Sequence, residues 1–138
     1  MVDFGELWDS VVLALQNSSA ILGVPKDKIQ AGFPEVELKS QPPFIYALCL
    51  PADKAVDDLS GSSQFSVADI TIFAGVHATE SIVTTIVNCV NLCGKIAKVL
   101  DADGSYSRDD TPPQLEAKTS SFAMMSVTYQ AIFQLYEV

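Results

Sequence analysis

Apolar and polar positions alternate along this chain with two different periods, and the switches between them mark out its elements. Phe4, Leu7, Trp8, Val11, Val12 and Leu15 recur at the spacing of one helical face, which predicts an opening amphipathic helix. Asp3 stands at its N-cap, with Glu6 at the capping-box spacing, and Asn17-Ser18-Ser19 ends it. Ile21 to Pro34 is irregular, punctuated by Pro25, Gly32 and Pro34. Val36 to Leu38 has the makings of a short strand. Phe44 to Leu50 is short, continuously apolar and bounded by prolines, so it reads as a buried strand that Pro51 stops. Ala52 to Ser63 is polar, with the composition of a loop or hairpin tip.

Gln64 to Val76 is the next expected strand. Ala68, Ile70, Ile72, Ala74 and Val76 share one face while Phe65 and Val67 share the other, which predicts a bulge near Ala68. Thr79 is the expected cap of a long helix running to Leu100, striped by Ile82, Ile86, Val90, Cys93, Ile96, Ala97 and Leu100. Lys95 and Lys98 near its end suit the helix dipole. Asp101 to Glu116 reads as a polar loop. From Ala123 every second residue is apolar, through Met125, Val127, Tyr129, Ala131, Phe133 and Leu135. Some fifteen residues of strand at roughly 3.3 Å each would span about 50 Å. A globule of this length is only about 30 Å across, so the strand must bend or project. A projecting strand offers unpaired backbone groups to a partner chain. Gln130, Ile132, Gln134, Tyr136 and Val138 on its late, otherwise polar face are the expected oligomer contacts.

The element order predicts an α+β fold: a mostly antiparallel sheet of about four strands, two main helices on one face, and a long C-terminal strand. The 138 residues fit a single domain, with mobile loops expected at 52–63 and 101–119.

Charge changes the picture by exclusion. Seventeen acidic residues against eight basic ones give a net charge of −9, which argues against a primary grip on nucleic acid. Such a surface still lets DNA slide past without sticking. Cys49, Cys89 and Cys93 are odd in number and form no Cys-x-x-Cys, so they read as small core hydrophobes rather than a disulfide framework. The chain starts without a basic n-region, and no uninterrupted apolar run approaches about 20 residues. Synthesis in a reducing interior and no membrane span are the expectations.

Candidate chemistry is sparse. His77 is the one histidine. Glu80 and Ser81 are near it in sequence, but the serine lies in no nucleophile elbow and no further metal ligands are in view. The run Asp101-Ala-Asp103-Gly104-Ser105 resembles a calcium loop, but its glycine is misplaced and the closing glutamate is missing. No phosphate-cradling glycine motif occurs. No cofactor and no enzymatic activity are expected.

The succession of opening helix (Phe4 to Leu15), central strands (Phe44 to Leu50, Gln64 to Val76), long second helix and closing strand (Ala123 to Val138) resembles the tail terminator family of long-tailed bacteriophages. The resemblance is one of architecture and covers most of the chain. It implies a homo-oligomeric ring, usually of six copies, that caps the tail tube and docks neck or head-completion proteins. It also implies a place in the virion, assembly in the host cytoplasm, and DNA only as passing cargo. Three other readings stand beside it: a small cytoplasmic regulatory or binding domain, dimeric through its last strand; another neck or tail-completion protein; and, least favoured, a small enzyme using His77.

Overall fold

The computed structural model describes residues 2–34, 41–57, 63–109 and 111–137. The expected strand at Val36 to Leu38 and the interface residue Val138 lie outside them.

Helix α1 (Phe4–Asn17) begins where the Asp3 carboxylate accepts the Glu6 N–H at 2.8 Å, a cap that contributes about 1 kcal/mol. Its face of Leu7, Val11 and Leu15 is buried on the sheet. Three contacts set its path. Phe4 meets Phe133 edge-to-face at 5.0 Å, Trp8 Nε1 donates to the Ala47 carbonyl at 2.8 Å, and Gln16 Nε2 donates to the Ile29 carbonyl at 2.9 Å. The helix therefore crosses the whole sheet. The stretch read as irregular holds α2 (Ser19–Leu22), a 3₁₀ turn (Lys26–Lys28) and β1 (Ile29–Ala31). Three residues are too few to show a period, so β1 is a strand only because β2 (Phe44–Asp57) lies beside it.

The remaining strands are β2 (Phe44–Asp57), β3 (Ser63–His77), β4 (Ser107–Arg108), β5 (Gln114–Lys118) and β6 (Phe122–Glu137). They form a six-stranded mixed sheet in the order β1-β2-β3-β6-β4, with β5 also on β6. The fold is thus α+β with a long C-terminal strand, as expected. The sheet is larger than four strands, and it is mixed because β1 runs parallel to β2. Pro51 does not stop β2, which continues to Asp57. β1 ends opposite Ala47, so among the described residues nothing pairs with the outer edge at Pro51, which stands beside a bulge between Pro51 and Ala55 where its missing N–H breaks no ladder bond. In β3 the inward face does not switch at Ala68. Ser66, Ala68 and Ile70 are all buried on the helix side, and the irregularities fall in β2 and near Leu135 of β6 instead.

Neither expected mobile loop is a loop throughout. Residues 52–57 and Ser63 belong to β2 and β3, and 58–62 lie outside the described residues. Residues 101–103 finish helix α3 (Ile82–Asp103), while Ser107–Arg108 (β4) and Gln114–Lys118 (β5) cover the edge of β6. That edge carries a row of N–H and C=O groups, which recruits a polar segment whose own propensity is indifferent.

α3 starts two residues later than expected. Ser81, not Thr79, is its N-cap and accepts the Thr84 N–H at 3.2 Å. Thr79 and the buried Thr85 hydroxyl brace the turn instead, with the Thr79 N–H on Thr85 Oγ1 at 2.9 Å and Thr85 Oγ1 donating to the Ser81 carbonyl at 3.0 Å. Ser81→Ala should lower stability by about 1 kcal/mol, read from urea unfolding. The apolar stripe is also corrected. Thr85, Cys89, Leu92, Cys93, Ile96, Ala97 and Leu100 face the sheet, whereas Ile82 and Val90 face outward. In this helix apolar residues occupy both faces of the first half, so sequence periodicity cannot choose between them.

Candidate interaction surfaces

β6 is paired with β3 along its whole length, from Phe122 opposite His77 to Glu137 opposite Ser63. Its late half is therefore no lone projecting strand. Together with β2 and β3 it continues the sheet past α1, whose cover ends at Phe133. Leu135, next on the helix side, is exposed.

The outer edge of β6 is closed piecemeal. β5 pairs with residues 123–126, the Asp109 N–H donates to the Thr128 carbonyl at 3.0 Å, β4 pairs at Tyr129 and Gln130, and the Gln134 N–H donates to the Val2 carbonyl at 2.8 Å. The alternation of an antiparallel strand turns the N–H and C=O of Ile132 outward between the last two of these. There the edge meets a groove of about 650 Å³ lined by Val2, Leu7, Ser10, Tyr106, Ala131 and Ile132 among others. Ser10 Oγ and the Tyr106 hydroxyl lie 3.0 Å apart beside it. The Tyr106 hydroxyl titrates above the usual tyrosine range because it is buried, an effect that the Ser10 bond offsets and the Asp103 charge reinforces. The segments framing the groove carry Asp3, Glu6, Asp9, Asp101 and Asp103, all exposed, so it lies in a negative field.

The expected contact residues separate here. Gln130 and Ile132 both line the groove. Gln130 also donates to Asp69 Oδ1 at 2.9 Å across the open sheet face, while Ile132 is exposed. Gln134 holds Val2 through its backbone. Tyr136 pairs with Gln64 by backbone register.

Several of the candidate chemical residues have structural partners. His77 and Glu80 are exposed at the end of β3, and Ser81 is engaged as a helix cap. Among the described residues no three of His, Cys, Asp and Glu gather as a metal site would require. The run resembling a calcium loop is divided up. Gly104 is the left-handed C-cap of α3 at φ 78°, and Asp101 lies 3.8 Å from Arg108 and 3.4 Å from the Tyr129 hydroxyl. Cys49, Cys89 and Cys93 are free and buried, as their reading as core hydrophobes requires. Cys89 Sγ donates to the Ala74 carbonyl at 3.4 Å.

Two apolar surfaces escaped the sequence reading. On the open sheet face Phe44, Phe73 and Met124 form a second buried cluster, packed against Tyr46, Leu48 and Phe122, with Phe33 edge-on to Phe73 at 5.1 Å. The continuously apolar run Phe44 to Leu50 was its signal, because a strand apolar at every position is covered on both faces. The second is the outward face of α3, where Ile82, Val83, Val87 and Val90 are exposed. Its signal was the lack of any charged residue from Ile82 to Gly94. By length and composition alone α3 is apolar enough to cross a membrane, with a mean hydropathy of 1.4 and a third of that window buried on the sheet. Compared with known proteins, the sequence matches no family model and no curated protein.

Proposed function

We propose that the chain is a structural protein of a phage virion, a tail terminator whose copies form a ring, six to the turn, on the end of the tail tube. The observation that carries this reading is the three-stranded extension of the sheet beyond α1, where β2, β3 and β6 run on past Phe133 and leave Leu135 exposed. An extension of paired strands is stiff. It costs little ordering entropy when a neighbour packs on it, and a head-to-tail contact of this kind closes into a ring when its rotation closes. The architectural resemblance given by the chain's element order points the same way. Six copies, each with a net charge of −9, would line a channel that DNA crosses without binding. The partners are further copies, the tail tube protein and a neck or head-completion protein. The site of action is the tail or neck, after assembly in the host cytoplasm. The ring uses no cofactor and turns over no substrate.

Negative-stain microscopy with mass determination across a concentration series tests this reading. Closed rings with an open centre, alone or on added tail tubes, are expected. A chain that forms no ring with tubes present and does not halt their growth overturns it.

The groove at Ile132 favours a second reading, a small binding domain that takes an extended peptide on its β6 edge. A Lys-Val alternating peptide that binds the chain and is displaced by salt, with no ring under any condition, would favour it.

A further inference from the structure

The outward face of α3 is an exposed apolar surface that neither reading uses. Val83, Val87 and Val90 are 68%, 49% and 42% exposed, and Gly94 follows with open space where a Cβ would stand. Their spacing of four, three and four residues is that of a helix-packing seam. From Ile82 to Gly94 no residue is charged. The remainder of the chain is strongly acidic, and two copies meeting elsewhere would bring carboxylates together. This face is where a second copy approaches at least electrostatic cost.

The seam also complements itself. Laid antiparallel on a second α3 about a two-fold axis near Asn88–Cys89, Val83 of one copy falls opposite Gly94 of the other, and Val87 opposite Val90. The space over Gly94 receives the branched Val83 side chain, large against small. One turn further out, Glu80 of one copy comes beside Lys98 of the other, and the axis repeats the match at the far end. Both side chains are exposed, Glu80 in the turn just before the Ser81 cap and Lys98 on the helix. A contact in which each patch meets its own copy with every pair reciprocated is the isologous kind that closes at two subunits.

We infer that α3 is a dimerisation helix, packing antiparallel on the α3 of a second copy with Val83 seated over Gly94. This two-fold contact is separate from any head-to-tail ring contact and would join chains in pairs, or rings face to face. It goes beyond the ring reading and does not depend on it.

Register-specific crosslinking tests it. The native cysteines are buried, so introduced thiols report alone. The double variant Val83→Cys with Gly94→Cys should oxidise to a covalent dimer, while each single variant stays uncrosslinked because like positions are held about 16 Å apart along the helices. In sedimentation equilibrium the native chain should dimerise. Val87→Asp should weaken the dimer at least about tenfold with an unchanged circular dichroism spectrum, because Val87 is outside the core. Native chain that is monomeric at every concentration overturns the inference. So does a dimer indifferent to Val87→Asp, or single variants that crosslink as well as the double. Monomer that instead binds phosphatidylcholine vesicles overturns it and gives the face to a membrane surface. Rings without the register-specific crosslink sink this inference and leave the ring reading standing. The crosslinked dimer without rings does the reverse.

Discussion

Phe44→Ala should lower the unfolding free energy by about 3–5 kcal/mol, a large part of what a domain of this size possesses. Phe44 is completely buried although it lies on the sheet face opposite the helices. Tyr46 and Phe122 stand edge-on to its ring at 5.6 and 6.0 Å, and Phe73 and Met124 complete its surroundings. The ring itself lies over Gly75, its partner across the β2–β3 ladder, so closely that a Cβ there would collide with it. An aromatic ring over a strand glycine covers backbone that the missing side chain would expose. Truncation therefore opens a cavity and wets the Gly75 backbone together. Gly75→Ala should be costly from the other side, by about 1–3 kcal/mol of overpacking. Phe33→Ala, at an exposed ring on the same face, should cost much less. Urea unfolding checks all three, with midpoints shifting and slopes unchanged. A Phe44→Ala midpoint close to that of the native chain would mean that the open face carries no core.

Alkali should unfold this protein well before its backbone is at risk. Burial pushes the Cys49 thiol up to about 12, and the Cys93 thiol to about 12 through burial and then the neighbouring Cys89. Burial likewise raises Cys89 to about 11, against a backbone hydrogen bond that lowers it. In the unfolded chain these thiols ionise near their ordinary value of 9.0. Above that pH the folded state holds protons that the unfolded state has lost. Stability is therefore full below pH 9 and falls as pH rises toward 11–12, by at most about 1.4 kcal/mol per pH unit for each thiol. Tyr129, raised to about 12 by burial and then by the Asp101 charge, adds to the fall from pH 10. Urea midpoints at pH 8, 9, 10 and 10.5 should stay level and then drop steeply. Cys49→Ala and Cys93→Ala should each flatten the drop while lowering the plateau. A midpoint independent of pH up to 10.5 would place the thiols in contact with water. The same burial predicts that iodoacetamide leaves the folded chain unlabelled at pH 8, since the thiolate is the reactive form.

Both results depend on features that the sequence exposed to very different degrees. The cysteines were readable as core residues because Cys89 and Cys93 stand one helical turn apart. Of the second cluster only the apolar run Phe44 to Leu50 was readable, not its membership. Phe44, Phe73 and Met124 come from three strands, and only the register of β2, β3 and β6 brings them together. The same holds for the candidate surfaces. Gln130 and Ile132 were singled out from the alternation of β6, and both line the groove. The groove itself needs Val2 from one end of the chain and Tyr106 from beyond α3.

Local physics determined the first helix, its Asp3 cap, the long strands and the α+β class, because side-chain periodicity and capping act within a few residues. The tertiary structure alone decided the rest. β1 is a strand only beside β2, and β4 and β5 form only because the edge of β6 has unpaired backbone groups to offer. Pro51 is tolerated within β2 because, among the described residues, no strand lies outside it there. On α3, where either side could have been buried, packing against β3 and β6 chose Cys89 and Leu92 and left Val83, Val87 and Val90 facing solvent. A helix apolar on two sides has no preferred face until a sheet covers one of them.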